Sequence, residues 1–545
     1  MVQGETGQGR VGSAHMKHDE PPRDLLDWLA LRRYPDWRVA RPLGMLLGMA
    51  AVVLLALALI AAFATVIRAI GGGASSAGGN LGAGALIVAL LGAPFLIWGT
   101  LIKHRTLSAQ MDGQITDRIA KAVEQLGAEK TVKEPNENGA VAERTRPNIE
   151  VRIGAILSLE RIAQDSTSHD HGRDHARVME ILCAYLRENA PASAAQDHPY
   201  GEWQPLKDNP TEAERAAHLA MREERFGSKG KPGLIGQWAK TLPPPRADVA
   251  IALQVIGRRS ADQRRVEAAW PAPPSDQTRW LFDTDAPTPP LPEGDAAIPQ
   301  AQIDNYLANL RNWQEHIRAY PGYRLDLRQT NLHQADLSRA VLAGARLEGA
   351  RLEGANLNEA RLEGAKLQGA QLEGARLWLA RLQGANLGWA RLGGASLQEA
   401  RLEGANLWQA RLEAANLKGA RLEGANLWQA RLEGAVLRAA RLEGADLRVA
   451  RLDGANLSEA RLEGANLEWA RLEGAALWDV DCSRLVISQQ QIDATFGDGT
   501  VILPAPLTRP AHWPKQGLSA RGFTTEYRKW RADPAAYTPP PPPAP

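Results

Sequence analysis

The chain has very little cysteine and no excess of charge of either sign, and both shortages exclude classes of protein. Its 545 residues include only two cysteines, Cys183 and Cys482, too few for a disulfide framework. Lysine and arginine number 64 against 62 for aspartate and glutamate, which leaves a formal net charge of +2 at pH 7. Binding a polyanion requires a basic surface, so this balance argues against nucleic acid as a partner.

The sequence also lacks a recognisable catalytic or cofactor-binding constellation. It contains no nucleophilic triad, no glycine-rich phosphate loop and no pair of acids in a recognisable setting. A His-x-His pair of the kind that binds zinc occurs in one stretch, whose polar residues are His169, Asp170, His171, Asp174 and His175. The serine, aspartate and glycine around it favour a solvated loop. We therefore expect neither a metal nor a cofactor.

A five-residue period between Leu327 and Leu477 dominates the second half of the chain. Leucine recurs at every fifth position, thirty-one times in succession, and alanine stands two residues before it from Ala335 to Ala475. On an α-helix, steps of five residues rotate by about 140°, which would scatter the leucines around the cylinder. On a flat strand they would alternate between the two faces. A chain that turns a corner every five residues, in stacked coils, places all of them inside.

Units such as Ala405-Asn406-Leu407-Trp408-Gln409 resemble the pentapeptide repeat family, whose unit is A-(N/D)-L-x-x. The resemblance implies an all-β right-handed quadrilateral β-helix, with four pentapeptides in each square coil. It also implies that leucine and the preceding alanine point inward, while the other three positions point outward. We place this solenoid at residues 323–487.

The outward positions have a second period, of ten residues. Units that read Arg-Leu-Glu-Gly-Ala alternate with units that read Asn-Leu-x-x-Ala. Wrapped at twenty residues per coil, arginine and glutamate fall on two opposite faces, where we expect exposed ion pairs worth about 0.2–1 kcal/mol each. Residues 346–479 hold eighteen basic and eighteen acidic residues, so the solenoid has no net charge.

Tryptophan and asparagine share one of the other two faces, and Trp378 and Trp478 fall on the face opposite to it. Tryptophan is costly to leave in water and is enriched at interaction hot spots. We therefore predict a surface for a protein partner that comprises Trp389, Trp408, Trp428, Trp469, Asn406 and Asn426. Two alternatives are that the rings cover the protein's own helical domain or tail, or that they pack together as an aromatic ladder.

Two long apolar runs, 43–67 and 81–102, contain no charged residue. At about 1.5 Å per residue, each is long enough to cross a bilayer core of about 30 Å as a helix. The glycine-rich segment 71–80 joins them, so residues 43–102 predict a two-helix transmembrane hairpin. Basic residues lie before the first run and after the second, which places both termini on the cytoplasmic side of a bacterial inner membrane. Gly44 and Gly48 would allow two such helices to approach closely, so a homo-oligomer through them is one option, although glycine is common in membrane spans.

The remaining segments divide by pattern. Residues 1–42 are a cytoplasmic N-terminal segment, and 103–260 have the periodicity of a cytoplasmic α-helical domain. Within that domain, residues 150–156 resemble a juxtamembrane segment of bacterial membrane pentapeptide proteins. A Pro-rich linker covers 261–300, and a helix at 301–322 is expected to cap the first coil. Residues 488–545 supply a C-terminal cap helix, which begins with a capping box of Ser488 and Gln491, and a tail.

Three classes of function compete. The first is a membrane-anchored scaffold, whose partners are the lipid bilayer and an unidentified protein. The second is a DNA mimic that protects a topoisomerase, as some pentapeptide proteins do, and it requires a strongly negative face. The third is an enzyme with its site in the helical domain. The neutral solenoid and the absence of a catalytic motif favour the scaffold, and we expect no enzymatic activity.

Overall fold

The computed structural model describes residues 114–541, apart from 136–140, 170, 205, 208–210, 229–230 and 291–297, together with five isolated positions between 53 and 103. The predicted transmembrane hairpin at 43–102, with Gly44 and Gly48, lies almost wholly outside the described residues. Among those that are described, no helix is long and apolar enough to cross a membrane. The chain divides into two compact units, Met1–Gln114 and Ile115–Pro545, and the second holds nearly all of the described residues.

The five-residue period forms a square solenoid. A parallel bridge recurs every five residues and joins positions twenty apart, so that Asn406 pairs with both Asn386 and Asn426. The N–H of Leu407 donates to the carbonyl oxygen of Asn426 over 2.7 Å, which links one coil to the next. Every leucine of the five-residue series from Leu327 to Leu477 is 3% exposed or less, so the predicted inward ladder is confirmed. Burying each leucine contributes about 1.5–3 kcal/mol.

A helical region precedes the solenoid, and it also contains two short antiparallel hairpins. Its elements in chain order are α1 (114–126), β1 (Glu129–Pro135), β2 (Val141–Pro147), α2 (Ile149–His169), α3 (His175–Asn189), α4 (Glu212–Phe226), β3 (Gly227–Ser228), β4 (Lys231–Pro232), α5 (Leu234–Thr241), α6 (Ala247–Gly257) and α7 (Ala261–Ala269). Helices α2, α3 and α6 pack around a core that includes Leu159, Leu182 and Leu253.

The helical region covers the first coil of the solenoid. The N–H of Asn331 donates to the carbonyl of Ala190 at the end of α3 over 2.6 Å, and that of Val341 donates to the carbonyl of Gly257 at the end of α6 over 2.8 Å. The last carbonyls of a helix have no partner within it, so they match the free N–H groups at the edge of the coil. The expectation that the helix at 301–322 caps this coil is therefore wrong. That helix, α8 (Gln300–Arg318), contacts glycines along the side of the solenoid from Gly364 to Gly464.

The segment predicted as a Pro-rich linker, 261–300, is not a simple linker. It contains α7 and two aromatic residues, Trp280 and Phe282, which are 2% and 1% exposed. The ring of Phe282 lies against Gly344 in one of the first coils. Burial of these two rings holds the segment to the solenoid, because aromatic side chains gain the most from leaving water.

The C-terminal end of the solenoid is covered by α9 (Gln489–Asp493) and α10 (Ala520–Ala532). The predicted capping box is present, since Ser488 accepts from the N–H of Gln491. The carbonyl oxygen of Phe496 accepts from the N–H of Leu477 over 2.8 Å, which continues the backbone hydrogen bonds between coils. The ring of Phe496 packs against Trp530 of α10. The second of these helices had no counterpart in the sequence prediction.

Candidate interaction surface

The solenoid has four sides, which we distinguish by their leucines, taken in steps of twenty residues. The tryptophan face contains Leu327 to Leu467, and the α4 face contains Leu332 to Leu472. The distal face, opposite the tryptophan face, contains Leu337 to Leu477. The α8 face, opposite the α4 face, contains Leu342 to Leu462.

Helix α8 lies lengthwise on the α8 face. Leu307 and Leu310 cover Gly424, where a Cβ atom would lie 2.9 Å and 3.0 Å from their methyl carbons. Farther along the helix, the side-chain amide of Gln314 donates to the carbonyl oxygen of Gly404. The helix therefore sits directly on solenoid backbone, which only glycine leaves accessible.

The α4 face is covered by α4, by α5 and by the extended segment that precedes α4. Arg222 of α4 donates to the carbonyl oxygen of Asp453 over 2.9 Å. In the extended segment, the carbonyl oxygen of Trp203 accepts from Arg431 over 3.2 Å, and Ala239 of α5 packs beside Gly374. Two opposite faces of the solenoid are thus occupied by the chain's own helices.

These are the faces that carry arginine and glutamate, so the expectation of exposed ion pairs is wrong. Most of these acids bridge arginines of neighbouring coils, as Glu403 does with Arg401 over 3.2 Å and with Arg421 over 3.0 Å. The exposed fraction is 3% or less for Glu353, Glu363, Glu373, Glu403, Glu413, Glu423, Glu433 and Glu443. Burial of an ion pair costs desolvation that can exceed the attraction, so these pairs fix how the helices dock more than they add stability.

Burial also changes how these acids titrate. It raises the pKa of Glu423 to about 7, although Arg441 opposes the shift. Glu373 behaves in the same way, with a pKa raised by burial to about 7, and burial together with the neighbouring Glu473 raises that of Asp453 to about 8. These three acids therefore release their protons at higher pH in the folded protein than they would in an unfolded chain.

The tryptophan face, in contrast, is open between its first and last coils, where no described helix makes a hydrogen bond or a ring contact with it. Trp408 and Trp428 stack with a centroid separation of 6.0 Å and an interplanar angle of 20°. Trp389 meets Trp408 edge-on at 4.2 Å. Trp389 itself is 48% exposed. These three rings form a continuous aromatic ladder that crosses three coils.

Trp469 stands apart from this ladder and is 69% exposed. Arg448 and Val449 occupy the coil between it and Trp428. On the distal face, Trp378 is 40% exposed. Trp478 instead belongs to the C-terminal cap, where its indole N–H donates to the carbonyl of Leu518 over 3.0 Å. The alternative in which the rings cover the chain's own tail thus applies to Trp478 and not to the ladder.

Asparagine side chains hold the turns that carry the tryptophan ladder. The side-chain amide of Asn426 donates to Asn406 over 3.0 Å, and that of Asn406 donates to Asn386 over 3.1 Å. The side-chain oxygens of Asn406 and Asn426 accept from the N–H groups of Trp408 and Trp428. These amides hold the turns that carry the rings, and Asn426 is itself exposed beside them.

Glutamine forms a second ladder beside the rings. The indole N–H of Trp389 donates to Gln409 over 2.6 Å, and Gln409 donates to Gln429 over 2.6 Å. No prediction from the sequence included these glutamines. Their twenty-residue spacing, once the solenoid is accepted, was the signal that could have revealed them.

In the histidine-rich stretch, Asp170 and the side chain of His169 lie outside the described residues, and the described side chains form no cluster. His175 is fully buried, and its Nε2 lies 3.0 Å from Glu267 of α7, which also pairs with Arg259 over 2.7 Å. Asp174 precedes α3 and pairs with Arg177. Across the described part of the chain, no three His, Cys, Asp or Glu side chains are placed to hold a metal ion.

The alternation of glycine in the sequence marks the covered faces. The position two residues after leucine adopts a left-handed conformation on every face, with φ of +62° at Gly424 and +57° at Trp389. On the α8 face, glycine fills this position from Gly344 to Gly464, and on the open faces larger residues predominate. Backbone conformation alone does not explain this difference, since the φ values agree. Contact with the covering helices explains it.

Comparison with known proteins agrees with the geometry. The family model for pentapeptide repeats matches residues 324–479 in eight copies. No curated protein matches the chain. Proteins of this family fold as right-handed quadrilateral β-helices, and the described coils have that square form.

Three solved structures illustrate the similarity. HetL from Nostoc sp. strain PCC 7120, a pentapeptide repeat protein involved in heterocyst differentiation regulation, is 29% identical over 34% of this chain and 90% of its own, with a TM-score of 0.23. The protein alr5209 from Nostoc PCC 7120 is 33% identical over 22% and 84%, with a TM-score of 0.10. QnrB1, a plasmid-mediated fluoroquinolone resistance protein, is 20% identical over 32% and 80%, with a TM-score of 0.23. Through its repeats, the chain belongs to the pentapeptide repeat family.

Proposed function

We propose that this protein is a membrane-anchored scaffold whose solenoid presents the tryptophan face to a protein partner. The observation that carries the proposal is the division of the four faces. Two faces are occupied by α4, α5 and α8, while Trp389 and Trp469 remain 48% and 69% exposed on a third. Exposed tryptophan is costly unless something covers it, and the chain's own helices cover two other faces instead.

A comparison of three proteins tests the partner surface. The intact chain, a Trp389/Trp408/Trp428/Trp469→Ser variant and a Trp378→Ser variant are crosslinked in membranes and the captured proteins identified. Trp378 is the matched control, because it is 40% exposed on the distal face. We expect the fourfold variant to lose one specific protein that the other two retain, with unchanged melting. Identical captures from all three would contradict the proposal.

Membrane anchoring rests on the two uncharged apolar runs within residues 43–102. The full chain is expected to stay in the membrane fraction after an alkaline wash, and a variant without residues 43–102 is expected to leave it. A reporter that is active only in the periplasm should remain inactive when fused after Pro545. Release of the intact chain by the wash, or an active reporter, would contradict the anchor or its orientation.

Protection of a topoisomerase by DNA mimicry has less support. A mimic needs carboxylates at its surface, in a regular array that resembles phosphates. Here the most regular acids, such as Glu403 and Glu423, lie under helix α8 and are fully buried. The scaffold is therefore the function that the arrangement of the described residues favours.

A further inference from the structure

A groove of about 380 Å³ runs along the corner where the tryptophan face meets the α4 face. Arg411, Arg431 and Arg451 form one wall, each one coil beyond the last. Trp389, Gln409, Gln429 and Val449 form the other wall. We call this feature the arginine groove. No covering helix lines it, although α4 and its preceding segment end beside it.

The surface of the arginine groove is cationic even though the solenoid as a whole is neutral. The side chains of Arg411, Arg431 and Arg451 are 17%, 19% and 21% exposed. Their acidic partners, Glu413 and Glu433, are only 1% and 2% exposed. The acids therefore lie below the surface, while the arginine side chains remain partly exposed. A ligand in the groove meets the positive ends of these pairs.

The polar atoms of the groove that have no hydrogen-bond partner among the described residues are donors. One terminal nitrogen of Arg431 donates to the carbonyl oxygen of Trp203, and one of Arg451 donates to that of Leu206. The other terminal nitrogen of each arginine makes no hydrogen bond with the described residues. The glutamine ladder ends in the same way, because Gln409 donates to Gln429 and the amide of Gln429 donates to none of the described residues. A row of guanidinium and amide donors is chemically matched to carboxylates, which accept charge-assisted hydrogen bonds.

We propose that the arginine groove binds an extended acidic segment of the partner protein. This inference rests on the proposed function and names the chemistry of the partner. Successive coils are about 4.8 Å apart, so the three arginines span about 10 Å. On an extended chain, side chains two residues apart lie about 6.6 Å from each other, so two acidic side chains fit within the row. The apolar residue between them then faces away from the arginines, and an apolar flank can rest on Trp389 or Val449.

A peptide fits the groove better than a single-stranded nucleic acid. Bases bind proteins by stacking on exposed aromatic faces along a long basic track. Here Trp408 is already sandwiched between Trp389 and Trp428, and the row of arginines is only about 10 Å long. Asp446, in the coil that carries Val449, and Glu468, one coil farther on, are acids that would repel a continuing phosphate backbone.

Fluorescence anisotropy of the full chain in detergent tests the inference. The probes are a short labelled peptide in which aspartate alternates with leucine, the same peptide with lysine for aspartate, and a labelled oligothymidylate of equal charge. We expect binding of the aspartate peptide alone, weakened by salt. Equal binding of the lysine peptide, or tighter binding of the oligothymidylate, would overturn the inference.

Two pairs of variants locate the site. Val449→Asp adds a carboxylate to the groove and should weaken the aspartate peptide about tenfold or more. Ala439→Asp is its control, because Ala439 has the same left-handed backbone on the distal face, with φ of +56° against +59°. Arg411→Gln should weaken binding, and Gln371 shows that glutamine fits this ladder position. Its control is Arg401→Gln on the α8 face. Unchanged binding by both groove variants would overturn the assignment.

The outcome separates this inference from the proposed function. If the aspartate peptide fails to bind while the fourfold tryptophan variant still loses its partner, only the chemistry assigned to the groove is wrong. If the peptide binds with the expected pattern while all three membrane captures are identical, the inference about the groove is supported and the proposed partner surface is wrong.

Discussion

Leu307 of α8 packs directly on the backbone of Gly424. Its methyl carbon would lie 2.9 Å from a Cβ atom at that position, closer than two carbon atoms can approach. The same helix meets a glycine at each coil it crosses, from Gly364 to Gly464. Glycine two residues after leucine therefore allows a helix to dock on the solenoid. Its ten-residue period marks the two opposite faces that the chain's own helices cover.

Gly424→Ala should loosen α8 from the solenoid. The left-handed backbone costs alanine roughly 1–2 kcal/mol, and the clash with Leu307 adds about 1–3 kcal/mol. Gly369→Ala is the matched control, with φ of +63° against +62° and no atom within 4 Å of its new Cβ. The free energies of unfolding of both variants measure the difference. Equal losses would mean that α8 does not rest on Gly424.

Leu407→Asp should disrupt the solenoid. Leu407 is fully buried, so the variant places a charge among packed leucines at a cost of several kcal/mol. Leu379→Asp provides the control, because Leu379 is 37% exposed on the distal face. Thermal melting followed by circular dichroism should show a large loss for the first variant and a small one for the second. Unchanged melting of Leu407→Asp would refute the inward ladder.

Glu423→Gln should make the protein more stable at alkaline pH. The folded state holds a proton on Glu423 with a pKa of about 7, above the ordinary value of 4.5, so stability falls as pH rises between these values. Glutamine removes this fall and fits the site, since Gln383 occupies the equivalent position two coils earlier and is fully buried. The gain at about pH 8 relative to about pH 5 should reach about 2–3 kcal/mol.

Melting temperatures of the wild-type chain and of Glu423→Gln at both pH values check this result. Arg441 and Arg421 pair with Glu423, and Tyr306 of α8 lies above it, so the amide must keep these contacts. A difference between the two proteins that is the same at both pH values would contradict a proton held by Glu423.

Glu267→Gln should destabilise the helical region. Glu267 is the only acid within salt-bridge distance of Arg259 among the described residues, and both side chains are almost fully buried. Leaving a buried charge without its partner costs about 3–5 kcal/mol. Glu160→Gln breaks the surface pair with Arg258 and should cost less than about 1 kcal/mol. Denaturation by urea would distinguish the two, and equal effects would contradict a structural role for the buried network.

The inner positions of the solenoid were predictable from sequence because each five-residue unit has the same local pattern of apolar residues. Leucine at every fifth residue and alanine two before it leave one arrangement that buries both. The stacking of Trp408 on Trp428 is a consequence of the twenty-residue coil, because the two residues are twenty apart in sequence. The capping box of Ser488 and Gln491 is equally local, and it was also found.

Contacts between distant segments were not predictable in the same way. Gln314 is 90 residues from Gly404, and nothing in the sequence of α8 says which face it will cover. The burial of Glu403 follows from that docking, so the expectation of exposed ion pairs failed with it. Glycine at every tenth residue was the available signal. It becomes informative only when the helices that dock on the glycines are known.

A photocrosslinking amino acid placed in living cells tests the central claim most directly. One position is Glu468, beside the exposed Trp469 on the tryptophan face, and the other is Lys418, exposed on the distal face. The account predicts one discrete crosslinked protein from position 468 and none from position 418. The same products from both positions, or no product from position 468, would contradict the claim that the tryptophan face is the partner surface.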